Sequence, residues 1–140
     1  MIRPADAADA PVLADLLGQL GYPTLAAQVP DRVARIRADG RSEVFVAVRD
    51  ERVTGVVAVQ VAPGLTRSED TAHVTALVVG DGHRGSGVGR ELLQAAEAYG
   101  RKQGCQRMVV TTANHRAGAH GFYERLGWEW TGRRYGKTLS

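Results

Sequence analysis

The chain has 140 residues, 44% hydrophobic and 24% charged, a length and mixture that fit one soluble globular domain. Its net charge of +3 comes almost wholly from arginine, with Lys102 and Lys137 the only lysines; the balance suits a phosphate-bearing ligand, and no basic run or basic–aromatic stripe points to nucleic acid. The single cysteine, Cys105, excludes an internal disulfide and a cysteine zinc cluster, and no apolar stretch approaches the ~20 residues of a membrane span.

In chain order, a short opening strand comes first; no apolar stretch follows Met1 to Asp6 to make a secretory leader, so a cytoplasmic protein is expected. Leu13, Leu16, Leu17 and Leu20 then recur at helical spacing. Asp6 and Asp9 stand where the cap and first turn would lie, Pro11 is tolerable near a helix start, and Gly21 and Pro23 close the segment. A second helix is predicted over about Asp31 to Ala38, with Val29, Val33 and Ile36 on one face and Gly40 past its end. Three β-rich runs follow, Glu43 to Arg49, Arg52 to Ala62 and Thr71 to Val79. The short turn Arg49-Asp50-Glu51-Arg52 pairs the first two as an antiparallel hairpin, and Pro63 to Asp70 is a loop. A helix from about Gly87 to Gln103 ends at Gly104, a strand covers Arg107 to Thr112, and a helix from about Ala117 to Leu126 ends at Gly127. A last polar–apolar strand is predicted from Trp128 to Leu139. The order β-α-α-β-β-β-α-β-α-β describes a single α/β domain over residues 1–140, a mixed central sheet with helices on both faces.

The most informative stretch is His83-Arg84-Gly85-Ser86-Gly87-Val88-Gly89-Arg90, between the strand ending at Val79 and the helix that follows. Three glycines in five residues let the backbone approach a ligand closely, and a helix start offers unpaired N–H groups and a positive dipole end to an anion. A P-loop is excluded because Arg90-Glu91, not Lys-Ser/Thr, follows Gly89. A dinucleotide fingerprint fits badly: the spacing is GxGxG, three predicted strands precede it, and the next strand ends in Thr111-Thr112 with no acidic residue.

The same stretch, from Arg84 to Gly89, resembles the acyl-CoA motif of the GNAT N-acetyltransferase superfamily, and Leu77-Val78-Val79 looks like that family's cofactor strand. Ala119 to Trp128, containing Phe122-Tyr123 and Gly127, is similar to its second signature, and the opening Ile2-Arg3-Pro4-Ala5 is typical of members. The resemblance runs the length of the chain in the right order. It implies the GNAT fold and transfer of an acetyl group from acetyl-CoA to a primary amine by direct attack in a ternary complex. It further implies that the backbone of Leu77, Val78 and Val79 meets the pantetheine arm and acetyl carbonyl. The N–H groups of Gly85, Ser86, Gly87, Val88, Gly89 and Arg90 would then hold the pyrophosphate, with Arg84 and Arg90 adding charge.

The attacking amine must be neutral, yet a lysine-like amine is neutral in only about one molecule in a thousand at pH 7. Family members often place a glutamate base in an A-E-I pattern at the start of the cofactor strand. Here the pattern reads Ala72-His73-Val74, so His73 is the candidate base, and Thr111 stands where other members carry a glutamate on the next strand. Tyr123 matches the family's tyrosine that protonates the leaving thiolate; by itself the sequence also fits an amphipathic ring on a buried helical face. Where many members have a cofactor-contacting asparagine the chain has Arg116, with Asn114 two residues earlier. His83, His115 and His120 show no metal-ligand spacing, so no metal is expected. Arg133, Arg134 and Lys137 read as a solvated face or a substrate-side or dimer-side patch. The expected acceptor is a small, zwitterionic amine facing Gly18 to Val29, where Tyr22 and Leu25 are the bulky residues and no acidic cluster marks a polycation site. A protein N-terminus or lysine is the other acceptor, an idle acyl-CoA-binding or regulatory module is the rival class, and the resemblance is compatible with a homodimer.

Overall fold

The structure is a computed structural model that describes residues 1–111, 117–132 and 134–139, the side chains of 117–120 excepted. Two compact units divide the chain, Met1–Val109 and Val110–Ser140.

The elements are β1 (Ile2–Pro4), α1 (Ala10–Leu20), α2 (Val29–Arg37), β2 (Ser42–Arg49), β3 (Arg52–Ala62), β4 (Thr71–Val79), α3 (Val88–Lys102), β5 (Arg107–Val110) and α4 (Ala117–Arg125), with short 3₁₀ turns at Ala7–Asp9 and Ala26–Gln28. The strands lie in the order β1-β2-β3-β4-β5. Each pair from β1 to β4 is antiparallel. The helical crossover from β4 through α3 to its neighbour β5 is the connection that a parallel pair requires, so the sheet is mixed.

Chemistry explains the central strand. From Thr54 to Val59, β3 is buried without alternation, because helices cover both of its faces and a strand shielded on both sides needs a continuous β-branched run. On one face Val56, Ala58 and Val78 join Leu13, Leu16 and Val29 of α1 and α2 in a single apolar cluster. On the other, α3 buries Val88, Leu92, Leu93 and Ala96. Gly55 sets how closely α3 lies: a Cβ there would stand 3.0 Å from Leu92 Cδ1, Val88 Cγ1 and the Val78 carbonyl oxygen.

The β2–β3 turn puts Asp50 and Glu51 at φ 52° and 64°, the left-handed pair of a tight hairpin turn. The second helix begins at Val29, ahead of the expected Asp31, because Val29 is buried and Pro30 fits a first turn. The strand predicted from Trp128 to Leu139 does not form among the described residues. Trp130, Tyr135 and Leu139 are exposed, and Gly132 and Gly136, poor strand formers, interrupt the alternation.

Asp9 ties β1 to α1. Its buried carboxylate accepts from the Arg3 guanidinium at 2.8 and 2.9 Å and from the Asp6 N–H at 2.8 Å. These donors, the Arg3 bond foremost, hold its pKa below the usual carboxylate value against the opposing effect of burial. A lowered folded pKa adds stability above the unfolded value, about 3.9, which is lost as pH falls through the folded one. Between about pH 5 and pH 2 the parent is therefore expected to lose more stability than Asp9→Asn, read from urea midpoints. Equal losses would remove Asp9 from the acid response.

Candidate functional site

The glycine turn is built as its sequence requires. Gly82, Gly85 and Gly87 have φ of 86°, 79° and 88°, left-handed values open to glycine and strained for other residues. Gly87 caps α3, and the first bond of the helix is Glu91 N–H to the Gly87 carbonyl, 3.1 Å. The N–H groups of Val88, Gly89 and Arg90 therefore precede the ladder and point out of the helix start. Val88 and Gly89 are buried against the sheet, while Arg84, Gly85, Ser86, Gly87 and Arg90 are exposed. Arg84 folds back, its Nε donating to the Val79 carbonyl at 3.3 Å and its guanidinium 3.3 Å from Asp81.

Two side chains that sequence reasoning passed over brace this turn. Arg49, at the end of β2, donates to the Ser86 carbonyl at 3.0 Å and pairs with Glu91 at 2.8 Å. Gln19 of α1 accepts from the Asp81 N–H at 2.9 Å and donates to Asp15 at 2.9 Å. The first contact spans 37 residues and the second 62, so no local spacing could reveal either. By engaging the Ser86 oxygen, Arg49 turns a carbonyl dipole to its own charge and leaves the N–H side to an anion. Arg49→Ala is expected to weaken binding of a pyrophosphate-bearing ligand at the turn about tenfold by calorimetry with an unchanged circular dichroism spectrum; unchanged affinity would mean that the turn keeps its shape alone.

Strand β4 supplies an edge. Gly80 N–H bonds the Thr54 carbonyl at 2.8 Å, so alternate residues Val78 and Gly80 address β3, and the backbone of Leu77 and Val79 addresses the other edge. That edge is nine residues long, while β5 beside it has four, so among the described residues β4 outruns its neighbour. The Val78 side chain is buried in the α1–α2 cluster.

A bulge divides β4. Ala58 pairs with Ala76 but Val59 with Val74, which leaves Thr75 as the extra residue. Ahead of it Ala72 lies against α3, a Cβ at Gly100 standing 3.1 Å from its Cβ; beyond it Ala76 and Val78 join the α1–α2 cluster. His73 therefore lies on the α1–α2 side, exposed and opposite Gln60. Beside it opens a cleft of about 500 Å³ between α2 and the strands, lined by Arg32, Arg35, Ile36 and Asp39 and by Gln60 and Thr75. A second hollow, about 510 Å³, is lined by Asp15 and, within the predicted acceptor segment, by Gly18, Gln19, Pro23 and Thr24.

In the second unit Tyr123 of α4 is buried, its ring edge-on to Phe122 at 5.2 Å and to Trp128 at 5.6 Å. Asn114 and Arg116 lie outside the described residues. Burial pushes the Cys105 thiol above its usual pKa, as suits a small core residue. Among the described residues no group of His, Cys, Asp or Glu could hold a metal ion, and no helix is long and apolar enough to cross a membrane.

The acetyltransferase (GNAT) family profile matches residues 13–128, from α1 through the Tyr123 segment. The chain belongs to the GNAT acetyltransferase family. This GNAT chain is similar to human N-acetyltransferase 8B, 31% identical over 91 residues, a match covering 65% of the chain and 40% of that relative's length. It is similar in structure to a transcriptional regulator from Bacillus halodurans C-125, with TM-score 0.88 and 25% identity over 99% of each chain. Glucosamine-6-phosphate N-acetyltransferase from Arabidopsis thaliana superposes with TM-score 0.85 at 20% identity, over 100% of this chain and 98% of that one, a likeness of fold. In a GNAT chain the helix-start N–H groups suit the pyrophosphate of a coenzyme A thioester, and the β4 edge suits the amides of its pantetheine arm.

Proposed function

We propose that this GNAT chain is an N-acetyltransferase that moves an acetyl group from acetyl-CoA to a small primary amine by direct attack in a ternary complex. The observation that carries the reading is the glycine turn at the end of β4: N–H groups ahead of the ladder at the start of α3, next to a strand longer than its four-residue neighbour β5, in a chain whose family match runs from 13 to 128. That match passes through both compact units and supports one acetyltransferase domain spanning residues 1–140. A relative that acetylates glucosamine-6-phosphate supports an amine acceptor.

In this reading the turn binds the pyrophosphate and an N–H of the β4 edge steadies the oxyanion as the amine attacks the thioester carbonyl. His73 takes the amine's proton, directly or through water; its exposure beside the cleft suits either route. The carbon–sulfur bond then breaks, and Tyr123 gives its phenolic proton to the departing thiolate. His73→Ala is expected to lower turnover about a hundredfold with acetyl-CoA affinity unchanged. Unchanged turnover would take His73 out of the base role.

Thermal shift with acetyl-CoA, NAD and ATP, followed by thiol release over a panel of amines, tests the whole. Stabilisation by acetyl-CoA alone and release that depends on an amine are expected. Equal stabilisation by all three ligands would overturn the donor assignment; acetyl-CoA binding without release on any amine would favour the regulatory reading.

A further inference from the structure

We propose that the cleft between α2 and the ends of β3 and β4 binds an anionic group on the acceptor, so that the substrate is a primary amine that also carries a carboxylate or phosphate. This deepens the acetyltransferase reading and rests on it for the identity of the acceptor. Arg32, Arg35, Ile36 and Asp39 follow one another at positions i, i+3, i+4 and i+7 of α2, which puts all of them on one face of the helix and its end. They form one wall of the cleft, and Gln60 and Thr75 contribute polar groups from the strands.

The cleft carries two guanidiniums against one carboxylate, a net positive charge. Its carboxylate, Asp39, is already engaged: one oxygen accepts from the Arg41 N–H at 2.7 Å and the other from the Ser42 hydroxyl at 3.1 Å. The two guanidiniums are lightly held. Arg32 donates to the Thr24 hydroxyl at 3.1 Å, which leaves most of its fork unused. Arg35 stands 3.9 Å from Asp31, both highly exposed, a pair of little strength in water. Two neighbouring guanidinium forks beside the apolar Ile36 on the same wall match a planar carboxylate or a phosphate. A polycation would meet like charge there. The bulged Thr75 lines the cleft and stands two residues from Leu77, about 7 Å along the strand, so the cleft opens beside the β4 edge where the amine would be acetylated. His73, opposite Gln60, borders that path.

The test is binding by calorimetry, without transfer, of matched probes: β-alanine against propylamine for the carboxylate, and O-phosphoethanolamine against ethanolamine for the phosphate. At least one anionic probe is expected to bind about tenfold more tightly than its partner, and the preferred one tells carboxylate from phosphate. The double variant Arg32→Gln/Arg35→Gln should lose that preference and keep its acetyl-CoA affinity. Arg35→Gln alone reports part of the same loss if the double variant fails to fold. No preference for either anion, or a preference that survives in the variants, overturns the proposal. A chain that binds no acetyl-CoA would instead overturn the donor reading and leave this measurement standing.

Discussion

Tyr123→Phe is expected to lower turnover about a hundredfold while leaving acetyl-CoA affinity within about twofold. The substitution removes one oxygen and keeps the ring. The edge-on contacts with Phe122 and Trp128 are ring contacts, which phenylalanine keeps. A phenol with pKa near 10 protonating a thiolate near 8.5 is mismatched by about 2 kcal/mol in water, so its effect depends on close alignment rather than acidity. A leaving thiolate that must find its proton from solvent shows this in kcat, with the ground-state complex unaffected. Steady-state kinetics and calorimetry on the same preparation check it. Unchanged turnover would leave Tyr123 as a packing residue, the other reading its sequence allowed. Equal losses in turnover and thermal stability would point the same way.

Gly55→Val is expected to destabilise the chain by about 3 kcal/mol, a fall in melting temperature of roughly 10 °C. The Cβ alone would stand 3.0 Å from two side-chain carbons of α3 and from a β4 carbonyl, and valine adds two methyls in the same space. The carbonyl belongs to the sheet and cannot yield cheaply, so α3 must move outward. Since α3 begins at the glycine turn, the displacement should also weaken acetyl-CoA binding, in the parts of the population still folded. Differential scanning calorimetry reads the first effect and titration below the transition the second. A melting temperature within about 2 °C of the parent would show that α3 is not seated on Gly55 as described.

Much of this protein is legible in local pattern. The leucine spacing of α1, the β-branched runs of β2 to β4 and the glycine stops after α1 and α3 locate their elements within a few residues, because each rests on a short-range period or a backbone preference. The glycine turn was legible for the same reason: glycine at left-handed φ and free N–H groups at a helix start follow from adjacent residues. The alternating pattern of Trp128 to Leu139 produced no strand among the described residues.

By itself, then, the sequence determined the α/β order, the glycine turn and the family. Tertiary structure alone decided what supports the turn and what faces the acceptor. Arg49 and Gln19 reach it across 37 and 62 residues, distances over which only folding brings side chains together. A single extra residue at Thr75 reverses which faces β4 presents, because side chains alternate with period two and a bulge shifts that count by one. Periodicity does not announce such a shift, because the polar–apolar alternation of Thr71 to Thr75 runs into the wholly apolar Ala76 to Val79 and shows no break in count. The bulge sets His73 on the face that Arg32 and Arg35 share, and so joins the candidate base to the cleft.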